Sequence, residues 1–225
     1  MTASRSGELD LSRVRDLGVY GGSFDPVHAG HVHVASSAQR AFALDQVLFV
    51  PAARPPHKPG RVLATPEDRR RMLEIALERE PSWSISTLEF ERDGPSYTYD
   101  TLRELRDRAR LSPVAELYFL IGWDNLRGLE RWHRAREMLE LAQPIVVWRG
   151  EEDQRLLAHL RRELGDERFA KLERGLLRIA PAPESSTDLR ARLGRGEDPG
   201  ASLPPGVWEY IRTRGIYGVQ GDGER

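Results

Sequence analysis

Short apolar runs punctuate an otherwise polar chain at Leu17-Gly18-Val19-Tyr20, Gln46-Val47-Leu48-Phe49-Val50, Trp83 to Thr87, Leu117-Tyr118-Phe119-Leu120-Ile121 and Pro144-Ile145-Val146-Val147-Trp148. The strongest runs are nearly continuous rather than alternating, which is the pattern of strands buried on both faces in a parallel sheet. Between them the apolar spacing becomes helical. Val34, Ala35, Ala38, Ala41 and Phe42 share one face after His31, and Met72, Ile75 and Ala76 turn inward in a helix from Pro66 to Arg79 that starts with proline and acidic residues. Further helices are expected over Thr98 to Arg110, from the serine run at 185 to about Leu193, and at about Val207 to Thr213. Glu151 to Arg174 reads as one charged packing helix with a stripe of Leu156, Leu157, Leu160 and Leu164, and Gly194 to Pro205 as a loop. Strands and helices thus alternate. The fold class is α/β, a doubly wound parallel sheet in a single domain over 16–217, with 1–15 and 218–225 as flexible tails. Ligands in such sheets bind beyond the carboxyl ends of the strands, where strand order reverses.

Composition narrows the function classes. A chain of 225 residues is long enough for one full core, and 34 basic against 35 acidic residues give a net charge of -1, with no general attraction to nucleic acid. No apolar run is long enough to span a bilayer, and Met1 to Arg15 lacks a signal-peptide core. The absence of cysteine removes disulfides, thiolate nucleophiles and thiolate metal sites. These features point to the cytoplasm, with no membrane or nucleic-acid partner, and are compatible with a homo-oligomer.

The candidate chemistry starts where the first strand ends, at Gly21-Gly22-Ser23-Phe24-Asp25-Pro26-Val27-His28-Ala29-Gly30-His31. Glycines let the main chain approach a phosphate, and the free N–H groups of a following helix point at it. At helical spacing, His28 and His31 fall on one face, where imidazoles can donate to phosphate oxygens. Taken alone, a glycine pair is usually a tight turn and a histidine a core or surface residue; their conjunction favours phosphate. A metal site is the weaker reading, since no third ligand lies nearby and Asp25 is restrained by Pro26. Only Lys58 and Lys171 are lysines among the basic residues. A compact ammonium on a flexible stem suits a moving phosphate, which singles out Lys58, whereas Lys171 reads as a solvated surface residue.

The run from Gly21 to His31 resembles the signature of the nucleotidyltransferase superfamily with the His-x-Gly-His motif, and within it the bacterial nicotinate-nucleotide adenylyltransferases. The resemblance recurs at Pro55-Pro56-His57-Lys58, Asp68-Arg69 with Met72, Ser96-Tyr97-Thr98-Tyr99-Asp100-Thr101, Ile121-Gly122-Trp123-Asp124, Trp132, and Ser185-Ser186-Thr187-Asp188-Leu189-Arg190, covering nearly the whole chain. It implies a Rossmann-like nucleotidyltransferase fold and adenylyl transfer from ATP to nicotinate mononucleotide, with pyrophosphate released. Magnesium would ride on the ATP phosphates, with no metal ligand from protein side chains. It implies catalytic roles for His28, His31, Lys58 and Arg190. ATP would be met by Gly21, Gly22, Ser23, Phe24, His28, His31, Gly122, Asp124, Ser185, Ser186, Thr187 and Arg190. Nicotinate mononucleotide would be met by Ser23, Asp25, His57, Lys58, Tyr97, Thr98, Trp132 and His133. For Ser185 to Thr187 an ordinary helix cap, and for Trp132 an ordinary core position, are the competing readings.

Two positions depart from the family pattern. Trp123 stands where a small residue is usual, so it either fills part of the cleft or adds a stacking surface; Glu184 stands where an apolar residue is usual. Alternatives that keep the chemistry change the acceptor to nicotinamide mononucleotide or pantetheine phosphate, or transfer a cytidylyl group to a polyol phosphate. A non-catalytic nucleotide-sensing module is the alternative of another class, and it predicts loss of His28, His31 or Lys58, none of which is lost.

Overall fold

The computed structural model of the protein describes residues 11–55, 64–108, 114–148, 150, 153–180 and 185–219. Six strands, β1 (Asp16–Gly22), β2 (Gln46–Pro51), β3 (Trp83–Ile85), β4 (Glu116–Gly122), β5 (Gln143–Trp148) and β6 (Leu176–Arg178), form one sheet of order β3-β2-β1-β4-β5-β6. Every neighbouring pair is parallel. The helices are α1 (Ala29–Ala41), α2 (Pro66–Leu77), α3 (Thr98–Arg108), α4 (Ala135–Leu141), α5 (Gln154–Leu164), α6 (Asp166–Arg174), α7 (Ser186–Gly194) and α8 (Val207–Arg214).

The continuity of the strand sequences has the expected cause. On β2, Leu48 and Val50 enter one core with α3, α4, α5 and α6, while Val47 and Phe49 enter a second with α1, α2, α7 and α8. Each strand must therefore be apolar at successive positions, one for each face of the sheet. Leu11 and Val219, which the sequence pattern put in the tails, are buried in these two cores.

Three details differ from expectation. The charged stretch after 151 is not one helix: α5 ends and α6 begins at Gly165, whose φ of 84° lies in the left-handed region that glycine occupies without strain. The edge strand β6 is only three residues long and ends on an arginine, so no separate apolar run marks it. Lys171 is not a freely solvated cation, because its Nζ donates to the carbonyls of Leu139 at 2.8 Å and Glu140 at 3.5 Å, in the last turn of α4, where the helix dipole favours positive charge.

Candidate active site

With strand order 3-2-1-4-5-6, the chain crosses to opposite sides from β1 and β4, and a crevice opens beyond their carboxyl ends. Two clefts meet there. One, of about 390 Å³, is lined by residues that include Gly21, Gly22, Ser23, His31, Tyr97, Thr98, Gly122, Trp132, His133 and Ser186. The other, of about 510 Å³, is lined by Tyr20, Val34, Ile121, Gly122, Trp123, Asp124, Val147 and Gly150. Tyr20, Ile121 and Gly122 line both, so one extended molecule can pass from cleft to cleft over the end of β4.

The loop leaving β1 is built on a buried aromatic anchor. A Cβ at Gly22 would lie 3.0 Å from the Phe24 ring, so glycine there lets the ring tuck beneath the loop without having to shift. Phe24 is fully buried, and its ring packs 5.0 Å from the imidazole of His31 and 5.6 Å from Phe49. The Phe24 ring, which the resemblance placed beside ATP, thus packs beneath the loop. His28 is the N-cap of α1, and its backbone N–H donates to Nδ1 of His31 at 3.2 Å. That bond makes Nδ1 of His31 an acceptor, so the neutral ring carries its proton on Nε2. The two imidazole centroids are 3.8 Å apart, with the buried His28 behind the cleft-lining His31. No acidic residue occupies the first turn of α1, which leaves its positive end uncompensated by the helix itself.

Asp25 is a correction to the acceptor-binding set. Its side chain is only 1% exposed and serves as an internal junction. Oδ1 accepts from the Ala64 N–H at 3.1 Å and from the Tyr217 hydroxyl at 2.7 Å, and Oδ2 lies 3.8 Å from Arg190. Burial, with Asp25 beside it, pushes the Tyr217 hydroxyl far above its ordinary pKa, so it remains a donor. Arg190 also donates to the Asp25 carbonyl at 2.6 Å and to Thr187 Oγ1 at 3.4 Å, which joins α7 to the loop. Ser185 is the N-cap of α7, and its hydroxyl accepts from Asp188 N–H, while Ser186 donates to the Pro26 carbonyl at 3.4 Å and reaches the cleft wall. Within this run Ser185 caps the helix, whereas Ser186 is the residue that lines the cleft.

On the opposite wall, the Tyr97 ring stacks on His133 with centroids 4.5 Å apart and an interplanar angle of 26°. Trp132 lines the cleft while its body packs against the first core. Asp124 lies in the second cleft. His57, Lys58 and Glu184 fall outside the described residues.

The model of the cytidylyltransferase-like family matches residues 19–192. A protein of Saccharopolyspora erythraea named probable nicotinate-nucleotide adenylyltransferase is 39% identical over 212 residues, 94% of each chain. One of the same name from Lachnoclostridium phytofermentans is 36% identical over 204 residues, 91% of this chain and all of its own. The chain belongs to the nicotinate-nucleotide adenylyltransferase family. A solved structure of Plasmodium falciparum nicotinic acid mononucleotide adenylyltransferase complexed with NaAD shares the fold at a TM-score of 0.70 and 19% identity, covering 91% of this chain and 98% of that one.

Two buried residues of this adenylyltransferase that the sequence reading left without a role support the cleft, Arg69 from behind it and Glu89 in its wall. Arg69, within the Asp68-Arg69 motif, is 1% exposed, and its Nη1 donates to the carbonyls of Ser23 at 2.9 Å and Ala52 at 2.7 Å. It thereby ties the loop after β1 to the loop after β2. A signal was available: Arg69 shares a helical face with Met72 and Leu73, an unusual place for a charge unless it has buried partners. Glu89, 5% exposed, accepts from the Thr101 hydroxyl at 2.5 Å, and Arg92 donates to Thr101 at 3.1 Å and to Glu104 at 3.2 Å. This network lies at the start of α3, where Tyr97, just before the helix, and Thr98, its first residue, line the cleft.

Burial raises the Glu89 pKa above its ordinary value, against the opposing hydrogen bonds of Thr101 and Ser96. An acid with a raised folded pKa contributes stability below its unfolded pKa, and that contribution is lost as pH rises through the folded value. Urea unfolding at several pH values from about 4 to about 8 is therefore expected to show the parent protein losing stability relative to Glu89→Gln as pH rises. Parallel stability curves for the two proteins would contradict this account of Glu89.

Proposed function

We propose that this protein is a cytoplasmic enzyme of NAD biosynthesis that joins nicotinate mononucleotide to ATP, forming nicotinate adenine dinucleotide and pyrophosphate. The observation that carries the reading is the pair of clefts meeting over Gly122, beside His31 and the positive end of α1. Such a junction suits two nucleotides that must bring their phosphates together while their bases point apart.

The chemistry asks for little proton transfer. A phosphate oxygen of the mononucleotide attacks the α-phosphorus of ATP in line, a new P–O bond forms, and the bond to the β-phosphate breaks, with its electrons leaving on pyrophosphate. The attacking oxygen is already anionic, so no general base is required, and catalysis rests on alignment and charge stabilisation. His31 would present Nε2–H to the α-phosphate, and the α1 amides would add their field. His28 would act through His31, and Lys58 would meet the phosphates from its own loop. Ser186 and the N-terminus of α7 would face the leaving group, with Arg190 holding α7 in place. Tyr97, Trp132 and His133 would enclose the pyridine ring. Magnesium enters this scheme as part of the nucleotide. The metal would be bound by the triphosphate and supply charge neutralisation there.

Incubation with ATP, magnesium and, in turn, nicotinate mononucleotide, nicotinamide mononucleotide and pantetheine phosphate, with CTP and a polyol phosphate as a further arm, tests the reading through pyrophosphate release. Release is expected with the nicotinate acceptor above all others. Silence with every acceptor would remove the enzymatic reading, and a preference for the amide would remove the nicotinate one.

A further inference from the structure

We propose that Trp123, backed by Trp148, is the surface on which the adenine ring of ATP stacks, and so a determinant of purine preference. The proposal rests on the adenylyl-transfer reading and assigns a base seat within it. Trp123 begins a 3-10 turn that follows β4 directly, one residue after Gly122, where the two clefts meet. Its indole lies 5.2 Å from that of Trp148 with the planes 36° apart, and the Arg178 guanidinium sits over the Trp148 ring, 5.4 Å from its centroid. Trp148 is 7% exposed, whereas Trp123 is only partly buried. A fixed indole thus holds a second, reachable one in place, which lowers the ordering cost of using it as a stacking platform.

The surrounding cleft has the chemistry of a nucleoside site. Val34 and Val147 give it apolar walls, and the Asp124 carboxylate can accept from ribose hydroxyls. From such a seat the phosphates pass over Gly122 toward His31, in the other cleft.

Calorimetric titration of a non-hydrolysable ATP analogue into the parent protein, Trp123→Ala and Trp123→Phe tests the assignment, with inorganic tripolyphosphate as a base-free control. Stacking on an aromatic side chain predicts a loss of roughly 5- to 150-fold in analogue affinity for Trp123→Ala. Tripolyphosphate affinity and the KM for the mononucleotide should stay as in the parent. Trp123→Phe, which keeps an aromatic face, should keep most of the affinity. Undiminished analogue binding by Trp123→Ala overturns the proposal, and so does an equal loss for tripolyphosphate, which would mark Trp123 as packing alone. A parent protein that binds the analogue through Trp123 yet releases no pyrophosphate would leave the seat standing and remove only the reaction.

Discussion

Replacing His31 by alanine is expected to lower turnover by roughly two to three orders of magnitude, the range for removing one preorganised donor from developing charge. The reasoning starts from the backbone. The His28 N–H occupies Nδ1 of His31 at 3.2 Å, which leaves Nε2–H as the donor of a ring that lines the cleft. Phe24, 5.0 Å away, and Tyr20, 6.0 Å away, restrain that ring before substrate arrives, so little reorganisation accompanies the reaction. The substitution also removes a cap interaction from α1, at a cost of about 1 kcal/mol in stability. These two effects can be separated. Asparagine at 31 can still accept from the His28 N–H through its amide oxygen but is too short to replace Nε2–H. Steady-state kinetics beside thermal melts should show His31→Asn recovering stability without recovering turnover. A turnover number unchanged in His31→Ala, or restored by asparagine, would make the imidazole a scaffold.

How far the sequence carried the description depends on what each residue was asked to reveal. The sheet was readable because a strand covered by helices on both faces must be apolar at consecutive positions, as Val47 to Val50 are. The edge strand Leu176–Arg178 was not: it follows the charged helix α6 after a single glycine and ends on an arginine, so no separate apolar run marks it, whereas the equally short Trp83–Ile85 opens the run Trp83 to Thr87. Within the site, His31, Ser186, Tyr97, Thr98, Trp132 and His133 all reach the first cleft, as their motifs implied. Phe24 and Asp25 do not. They share the loop's motif because the loop is built on them: one fills the space beneath it, and the other collects Ala64, Tyr217 and Arg190. Motif membership identifies residues that a site needs without saying whether they touch the ligand. Tyr217 shows the limit from the other side, since nothing local in its sequence indicates that its hydroxyl reaches a carboxylate 192 positions away.

Arg69→Met should produce the largest loss of stability among these substitutions, because it removes a buried donor and leaves its acceptors behind. Nη1 of Arg69 alone serves the carbonyls of both Ser23 and Ala52. A buried carbonyl left unpaired costs about 1 to 3 kcal/mol; Ala52 bears that cost in full and the part-buried Ser23 a share of it, about 2 to 4 kcal/mol together. For a chain of this size each 1 kcal/mol lowers the melting temperature by roughly 2 to 4 °C, and a decrease of about 10 °C is the central expectation. Methionine retains much of the apolar stem that packs beside Phe90, so the loss reports the hydrogen bonds more than the volume. The same bonds fix the spacing between the loop after β1 and the loop after β2, both of which line the first cleft. Displacing one reacting group by about 1 Å can cost on the order of a hundredfold in rate, so turnover should fall even at temperatures where Arg69→Met is fully folded. Lysine at 69 restores a donor but not the planar guanidinium, and should recover only part of both quantities. Differential scanning calorimetry with single-turnover measurements below the transition decides the matter: a melting temperature and rate matching the parent would mean that the two loops are held apart by packing alone.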